Sequence, residues 1–502
     1  MRFWSRKTGL VPAVAAFAVV LSGCELEVLN PGAIQDADLK DPALMPVLVN
    51  GVSAEYNDFQ DDLAFDIAIL SDEMAGTGSY STTQEYRQGF FDQEDSEGNW
   101  AQTHEANWSA DQAIIRLQEV AADPDEDFDY EGSEDAARAW AIKGFTHVRL
   151  GENFCYAVYG VEAAQPRTAA FDSAIVAFNE AIRLGNISGA DEWVTASYAG
   201  IAQAELGRAS FGGGSFATAG TAAATAITNG AAIDWTDNAI YNTTADNNLF
   251  WNETWGRAEF GVFRTLAQQM YEQDADPRVE FKKCGEWLDP TGLLGTKDAD
   301  GIINGDVDPR TLTKSELDVL IAGAVEPTGD CAGEGSGAQQ GADGEHAHYK
   351  QMVYDDRGSD MPRASGEEML LIRAEDAMIR GAFGEMMGYI NQIRTARGVP
   401  TYTFTPTTVG TLDYPHDLTS QEAIDVLDRE RYASLWMQGR RLYDMDRWDH
   451  PYLDGGDNAL GPGLGNWVVG GSSFAPRASC MPIARSECLL NENISSNADV
   501  CG

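Results

Sequence analysis

Three times along this chain, a helix-like stretch rich in small residues ends at a glycine and is followed by a second amphipathic stretch. The layout covers Ala136 to Leu150 with Gly151, then Phe171 to Leu184. It recurs over Val194 to Leu206 with Gly207, then Phe216 to Ile227, and over Met369 to Arg380 with Gly381, then Phe383 to Arg397. Apolar residues at three- and four-residue steps give each helix one face that must be buried against a neighbour. The small residues let paired helices approach closely, and the three glycines are predicted to be left-handed C-caps. The same periodicity predicts two helices between Asp41 and Met74, from Leu44, Val47, Leu48 and Val52 and then Leu63, Ile67 and Leu70. Another helix is predicted over Trp108 to Val120.

Helical pairs of this kind stack as tetratricopeptide-like hairpins, so the chain is predicted to be all-α. With 502 residues, 43% of them hydrophobic, it has the material for a large core. Between the helical blocks lie three segments of another character. Gly76 to Trp100 is polar and aromatic, Asn229 to Gly256 carries Trp235, Trp251 and Trp255 among Asn, Thr and Asp, and Asp276 to Met361 is rich in Gly and Asp. Long loops on a helical scaffold are uncommon unless they bind something.

The N-terminus is not part of this scaffold. Arg2, Arg6 and Lys7 precede an apolar run from Leu10 to Leu21, which is too short to span a bilayer and is placed as a secretory signal's hydrophobic region. The run ends in Leu21-Ser22-Gly23-Cys24, which resembles the lipobox of bacterial lipoproteins. That resemblance implies cleavage after residue 23, acylation of Cys24 by palmitate-like chains and, with Glu25 following, an outer-membrane destination. The expected division is a signal peptide over 1–23 and a mature domain over 24–502. Within the domain, 24–275 forms the N-terminal part, 276–361 a loop-rich insertion and 362–502 the C-terminal part. Cys155, Cys284, Cys331, Cys480, Cys488 and Cys501 remain, an even number in an exported chain, which predicts disulfides. Cys284 with Cys331 is the expected closure of the insertion, with two further links among the other four.

The charge narrows the choice of partner. Lys and Arg number 34 against 79 Asp and Glu, a formal net charge of −45, and such a surface repels a phosphate backbone. Nucleic acid is excluded as a partner and a strongly anionic polysaccharide is disfavoured, which leaves neutral glycans, cationic oligomers and peptides as candidate nutrients. The motifs of nucleophile elbows, P-loops and zincins are missing. Asp298, Asp300, Gly301, Ile303 and Asn304 resemble the centre of a calcium loop, whereas Thr296 and Val307 stand where its end ligands belong. Asp298, Asp300 and Asn304 are therefore a weak Ca²⁺ candidate, as His346 and His348 are for a metal pair. An abundance of acids also leaves a glycoside-hydrolase carboxyl pair conceivable without pointing to one.

The C-terminal third carries a longer pattern. Met369-Leu370-Leu371-Ile372-Arg373-Ala374-Glu375-Asp376-Ala377 is followed by Asn391-Gln392-Ile393-Arg394 and Asp428-Arg429-Glu430-Arg431. Gln438-Gly439-Arg440-Arg441-Leu442-Tyr443-Asp444-Met445-Asp446-Arg447-Trp448 and Met481-Pro482-Ile483 with Glu487 complete it. This order resembles the SusD/RagB family of outer-membrane nutrient-binding lipoproteins, and Asp276-Pro277-Arg278-Val279 and Asn30-Pro31 match it more weakly. The resemblance implies four tetratricopeptide-like units on one side and a loop-rich, ligand-binding face on the other. It further implies a non-enzymatic role, the capture of a glycan or other oligomer for a SusC-like TonB-dependent transporter, with the body swinging as a lid on its lipid tether. Charges one helical turn apart in the pattern, among them Arg429, Glu430, Arg440, Arg441, Asp444 and Arg447, are expected to be buried scaffold pairs, with Trp436 and Trp448 as core anchors. Sugars present apolar faces and hydroxyl rims, which aromatic rings and polar side chains match. The candidate ligand contacts are Tyr80, Tyr86 and Arg87 in the first loop and Trp251, Asn252 and Trp255 in the second. A helical-repeat scaffold that binds only proteins is the alternative.

Overall fold

In a computed structural model the protein is described at residues 38–87, 89–263, 265–287, 325–327, 331, 335, 339–342, 347–412, 416–454 and 476–501. Its helices are α1 (Met45–Leu70), α2 (Ser81–Arg87), α3 (Glu97–Ala122), α4 (Glu134–Asn153), α5 (Thr168–Ser188), α6 (Asp191–Ser210) and α7 (Phe216–Thr228). They continue as α8 (Leu266–Asp274), α9 (Gly366–Ile379), α10 (Phe383–Ala396), α11 (Ala423–Ser434) and α12 (Arg441–Arg447). Strands occur only as two-stranded pairs among the described residues. The two helices expected between Asp41 and Met74 are a single one, α1. Pro46 starts it, buried Tyr56, Phe59 and Gln60 continue its inner face through the expected gap, and nothing in the sequence breaks it before Ser71.

The helices stack α3, α4, α5, α6, α7 and then α9 and α10, so the third hairpin, distant in sequence, extends the superhelix in space. Gly381, at φ +71°, is the left-handed residue after α9, as expected of a C-cap. Gly151 and Gly207 instead lie inside α4 and α6, and their role is packing. A Cβ on Gly144 would come within 2.5 Å of the Phe178 ring, and one on Gly200 within 2.1 Å. One turn-pair further on, Gly151 and Gly207 would meet Phe171 at 2.8 and 2.3 Å. Two phenylalanines seven residues apart on α5 thus seat in glycine notches, seven residues apart, on both flanking helices. Hard-sphere repulsion from any side chain in a notch would push the layers apart.

The buried-pair expectation for the C-terminal pattern holds for Glu430, Arg440, Arg441, Asp444 and Arg447, whereas Arg429 donates to the backbone carbonyls of Asp417 and Ser420 at 2.8 and 2.9 Å. Arg441 donates to both oxygens of Asp72 at 2.7 and 2.9 Å and also pairs with Asp428. Arg440 bridges Glu152 at 2.7 Å and Glu368 at 3.0 Å. Glu430 accepts from Arg278 at 2.9 Å and Arg394 at 2.6 Å, and Asp276 fastens Arg278 in turn at 2.6 Å. Asp444 takes Arg431 and Arg447, each at 2.8 Å. Trp436 is 1% exposed and donates its indole N–H to the Glu73 carbonyl at 3.2 Å. Trp448 donates to Glu375 at 3.1 Å, beneath Arg447. These pairs weld the end of α1 to the C-terminal helices, and buried charges of this kind are tolerable only because each has its counter-charge. Three disulfides, Cys155–Cys480, Cys284–Cys331 and Cys488–Cys501, add covalent ties, the second being the expected closure.

Candidate functional site

A two-residue antiparallel ladder assembles the site. Ala75 pairs with Gly261 and Gly76 with Phe260, which draws the first polar loop beside the end of the second. The contact extends past the ladder, because the Thr77 amide donates to the Glu259 carbonyl at 2.9 Å. The Ser79 amide and hydroxyl donate to the Glu259 carboxylate at 2.7 and 3.2 Å. Helix α2 follows, and the Arg87 guanidinium holds its end by donating to the Gly76 carbonyl at 3.2 Å.

The opposite lip is a π-helical segment, Trp251–Gly256, a geometry that needs outside support because its ladder is poorly aligned. That support comes from beside and within the Tyr349–Gln351 strand. His348 Nε2 donates to the Thr254 carbonyl at 3.0 Å, and Gln351 Nε2 donates to the Thr254 hydroxyl at 3.1 Å. Trp255 Nε1 donates to the Gln351 carbonyl at 2.9 Å. A carbonyl only accepts, so the His348 proton sits on Nε2, and burial, which lowers its pKa to about 3, keeps the ring neutral. His348 is thereby a buried strut of the π segment. Its proposed metal partner, His346, lies outside the described residues.

Between the lips lies a cleft of about 210 Å³, walled by Phe65 and Phe260, rimmed by Tyr80 and Tyr86 and lined by the carboxyls of Asp66 and Glu253. Burial raises the Glu253 pKa to about 7, the Glu259 charge adds to the rise, and the Asn252 amide opposes it. Burial likewise raises Asp66 to about 7, against the hydrogen bond from Asn99 and with added repulsion from Asp62 and Asp95. Arg257 lies over the Tyr80 ring at 5.0 Å and pairs with Glu253 at 3.3 Å and Glu259 at 3.9 Å. Arg357 lies over the Trp251 ring at 4.5 Å. Tyr80 and Trp251 therefore each carry a guanidinium on one face.

Comparison with known proteins now decides the lineage. Residues 367–497, the segment whose arginines and carboxylates form the buried weld, match the SusD family model. That match places the C-terminal segment with the SusD/RagB family. Solved structures agree in fold. A SusD superfamily protein from Parabacteroides distasonis is 13% identical with a TM-score of 0.56, over 90% of this chain and 98% of its own. A SusD-like carbohydrate binding protein from Bacteroides vulgatus is 13% identical with a TM-score of 0.52, over 90% and 97%. A structure solved with a xylogluco-oligosaccharide is 13% identical with a TM-score of 0.53, over 89% and 98%. No curated protein matches the sequence.

The residues singled out from sequence take different places. Tyr80, 43% exposed, and Tyr86, 7% exposed, line the cleft. Trp251 and Asn252 are half-buried on the π segment, and the Asn252 amide donates to Glu253 at 3.0 Å. Trp255 is buried under the Lys350 ammonium and supports the segment from below. Arg87 clamps backbone. Cys24, Asp298, Asp300 and Asn304 lie outside the described residues. Asp66, Glu253, Glu259 and Arg257 carry the cleft's charge, and no local pattern singles them out among so many acids.

His416, Asp428 and His450 form a second grouping, with ligand atoms within 4.8 Å of one another. Its hydrogen bonds do not suit a metal. His450 Nδ1 accepts from the Tyr452 amide at 3.1 Å, which puts that neutral ring's proton on Nε2, the atom facing Asp428 at 3.9 Å. Arg441 already covers Asp428. The group belongs to the buried weld.

Proposed function

We propose that this protein captures an oligosaccharide in the cleft between Tyr80 and the π segment. It then delivers the glycan to a SusC-like TonB-dependent transporter, as an outer-membrane lipoprotein held at the cell surface through Cys24. The observation that carries the reading is the cleft itself, in which aromatic side chains and carboxyls converge from helix α1 and from two loops that the sequence sets apart from the helical scaffold. Sugar-binding relatives of the same fold support it. Among the described residues no helix is long and apolar enough to cross a membrane, in keeping with attachment by a lipid.

Capture without chemistry fits the electrostatics of the cleft. A glycosidase needs two carboxyls whose environments drive their pKa values apart, one acid and one base. Asp66 and Glu253 are both driven up to about 7, so their environments do not part them into an acid and a base. The test is a glycan-array screen of the purified protein, with recovered glycans checked for cleavage. Saturable binding of an intact glycan is expected. An empty array, or a hydrolysed product, contradicts the reading.

A further inference from the structure

We infer, building on that capture reading, that the cleft selects a glycan bearing a free amino group, whose ammonium takes the place that the Arg257 guanidinium holds beside Glu253 and Tyr80. The local charge balance is the starting point. Glu253 and Glu259 share Arg257, and Asp66 lines the same cleft with its hydrogen bond coming from a neutral amide, Asn99, at 2.7 Å. Among the described residues, Asp62 and Asp95 add their repulsion at Asp66, and at Glu253 the Glu259 charge adds repulsion that the Asn252 amide opposes. One exposed cation therefore stands against an excess of carboxyls in a space largely withdrawn from water.

The Glu253 side chain is 8% exposed and the Arg257 side chain 45%, so the cation is the mobile member of the pair. A ligand ammonium reaching Glu253 and Asp66 would replace a long, solvent-facing side chain by a compact charge carried on a sugar ring. Tyr80 already receives a cation on its face, which shows that this ring is placed for that contact. The cleft volume of about 210 Å³ lies below the ~300–1,000 Å³ of pockets for drug-sized ligands, so it takes one sugar residue of a longer chain. A net charge of −45 draws cationic oligomers to the surface and repels anionic ones before any contact is made.

The assignment gives Arg257 a sign. For an amino sugar it is a competitor, so Arg257→Gln strengthens binding. For a neutral sugar it is a hydrogen-bond donor and a backing for Tyr80, so the same change weakens binding. The probes are three β-1,4-linked tetrasaccharides that differ only at carbon 2, with hydroxyl (cellotetraose), acetamide (chitin tetramer) or amine (glucosamine tetramer). Each is titrated calorimetrically into the whole protein at neutral pH. The amine tetramer is expected to bind at least tenfold more tightly than the other two, and several-fold more tightly still to Arg257→Gln. Glu253→Gln should lose most of the preference while unfolding at the wild-type temperature. Equal binding of the three, a preference for hydroxyl or acetamide, or weaker amine binding in Arg257→Gln overturns the amine assignment and leaves glycan capture standing. If none of the three binds while another glycan does, the assignment falls alone. If no glycan binds at all, the capture reading falls with it.

Discussion

Glu73 is fully enclosed between Asp72, the Met437 amide that donates to it at 2.8 Å and the C-terminal weld, and burial raises its pKa to about 8. In the unfolded chain the same carboxyl ionises near its ordinary value. As pH climbs from about 4.5 to about 8, the unfolded state therefore releases a proton that the folded state keeps, and stability falls across that window. Asp72, Asp428 and Asp444 act with the opposite sign. Burial raises each, their arginine partners more than offset it, and their stabilising contribution is lost as pH falls below the ordinary aspartate value. Glu73→Gln keeps the acceptor for Met437 and removes the titration, so its advantage over wild type should grow between pH 5 and pH 8, reaching roughly 2 kcal/mol. Thermal melts at a series of pH values check this, and a difference that stays constant with pH contradicts it. Neither Glu73 nor the cleft carboxyls were legible in the sequence. Asp72 and Glu73 read there as the polar end of a helix, because their partners lie more than 350 residues away.

The hairpins were legible, since an amphipathic face repeats locally and a small-residue face advertises close packing. What the glycines do was legible only in part. A glycine after an apolar run looks the same whether it ends the helix, as Gly381 does, or receives a ring from the next helix, as Gly151 and Gly207 do. That distinction depends on which neighbour arrives. The notches predict that Gly200→Ala, whose new methyl would sit 2.1 Å from the Phe178 ring, destabilises the protein by about 1–3 kcal/mol. Phe178→Leu introduced alongside should recover part of the loss, because the two changes meet in space. Gly51→Ala on α1, with nothing within 4 Å of the new methyl, should be neutral or stabilising by up to about 1 kcal/mol. Denaturant melts of the three variants decide the matter, and equal losses at Gly51 and Gly200 would refute the notch. The two loops that form the cleft together with α1 stood apart in the sequence by their composition. Their meeting was not, because it rests on a ladder of two residue pairs and on a π segment that has no sequence period of its own.

For the molecule as a whole, the C-terminal pattern carried the family match, and most of its charges have a fixed counter-charge in the weld. The cleft lies outside the matched segment, on residues between Phe65 and Phe260. The fold was therefore readable from one third of the chain and the ligand from none of it. On the reading offered here, Cys24 tethers an acidic body that meets its transporter at the membrane. In detergent-solubilised outer membrane the wild-type protein should co-purify with a TonB-dependent transporter, whereas Cys24→Ala should leave the membrane fraction. Wild-type protein recovered alone, or unchanged fractionation of a processed Cys24→Ala chain, would contradict the tethered assembly.

The central claim is that sugar is held in the cleft at Tyr80, and one titration tests it most directly. The tightest glycan from the array is titrated calorimetrically into wild-type protein and into Tyr80→Ala, a substitution at a side chain 43% exposed and outside the buried core. Removing the ring should weaken binding at least tenfold, equivalent to about 1.4 kcal/mol, with the unfolding temperature unchanged. Equal affinity in the two proteins would place the ligand elsewhere and contradict the account.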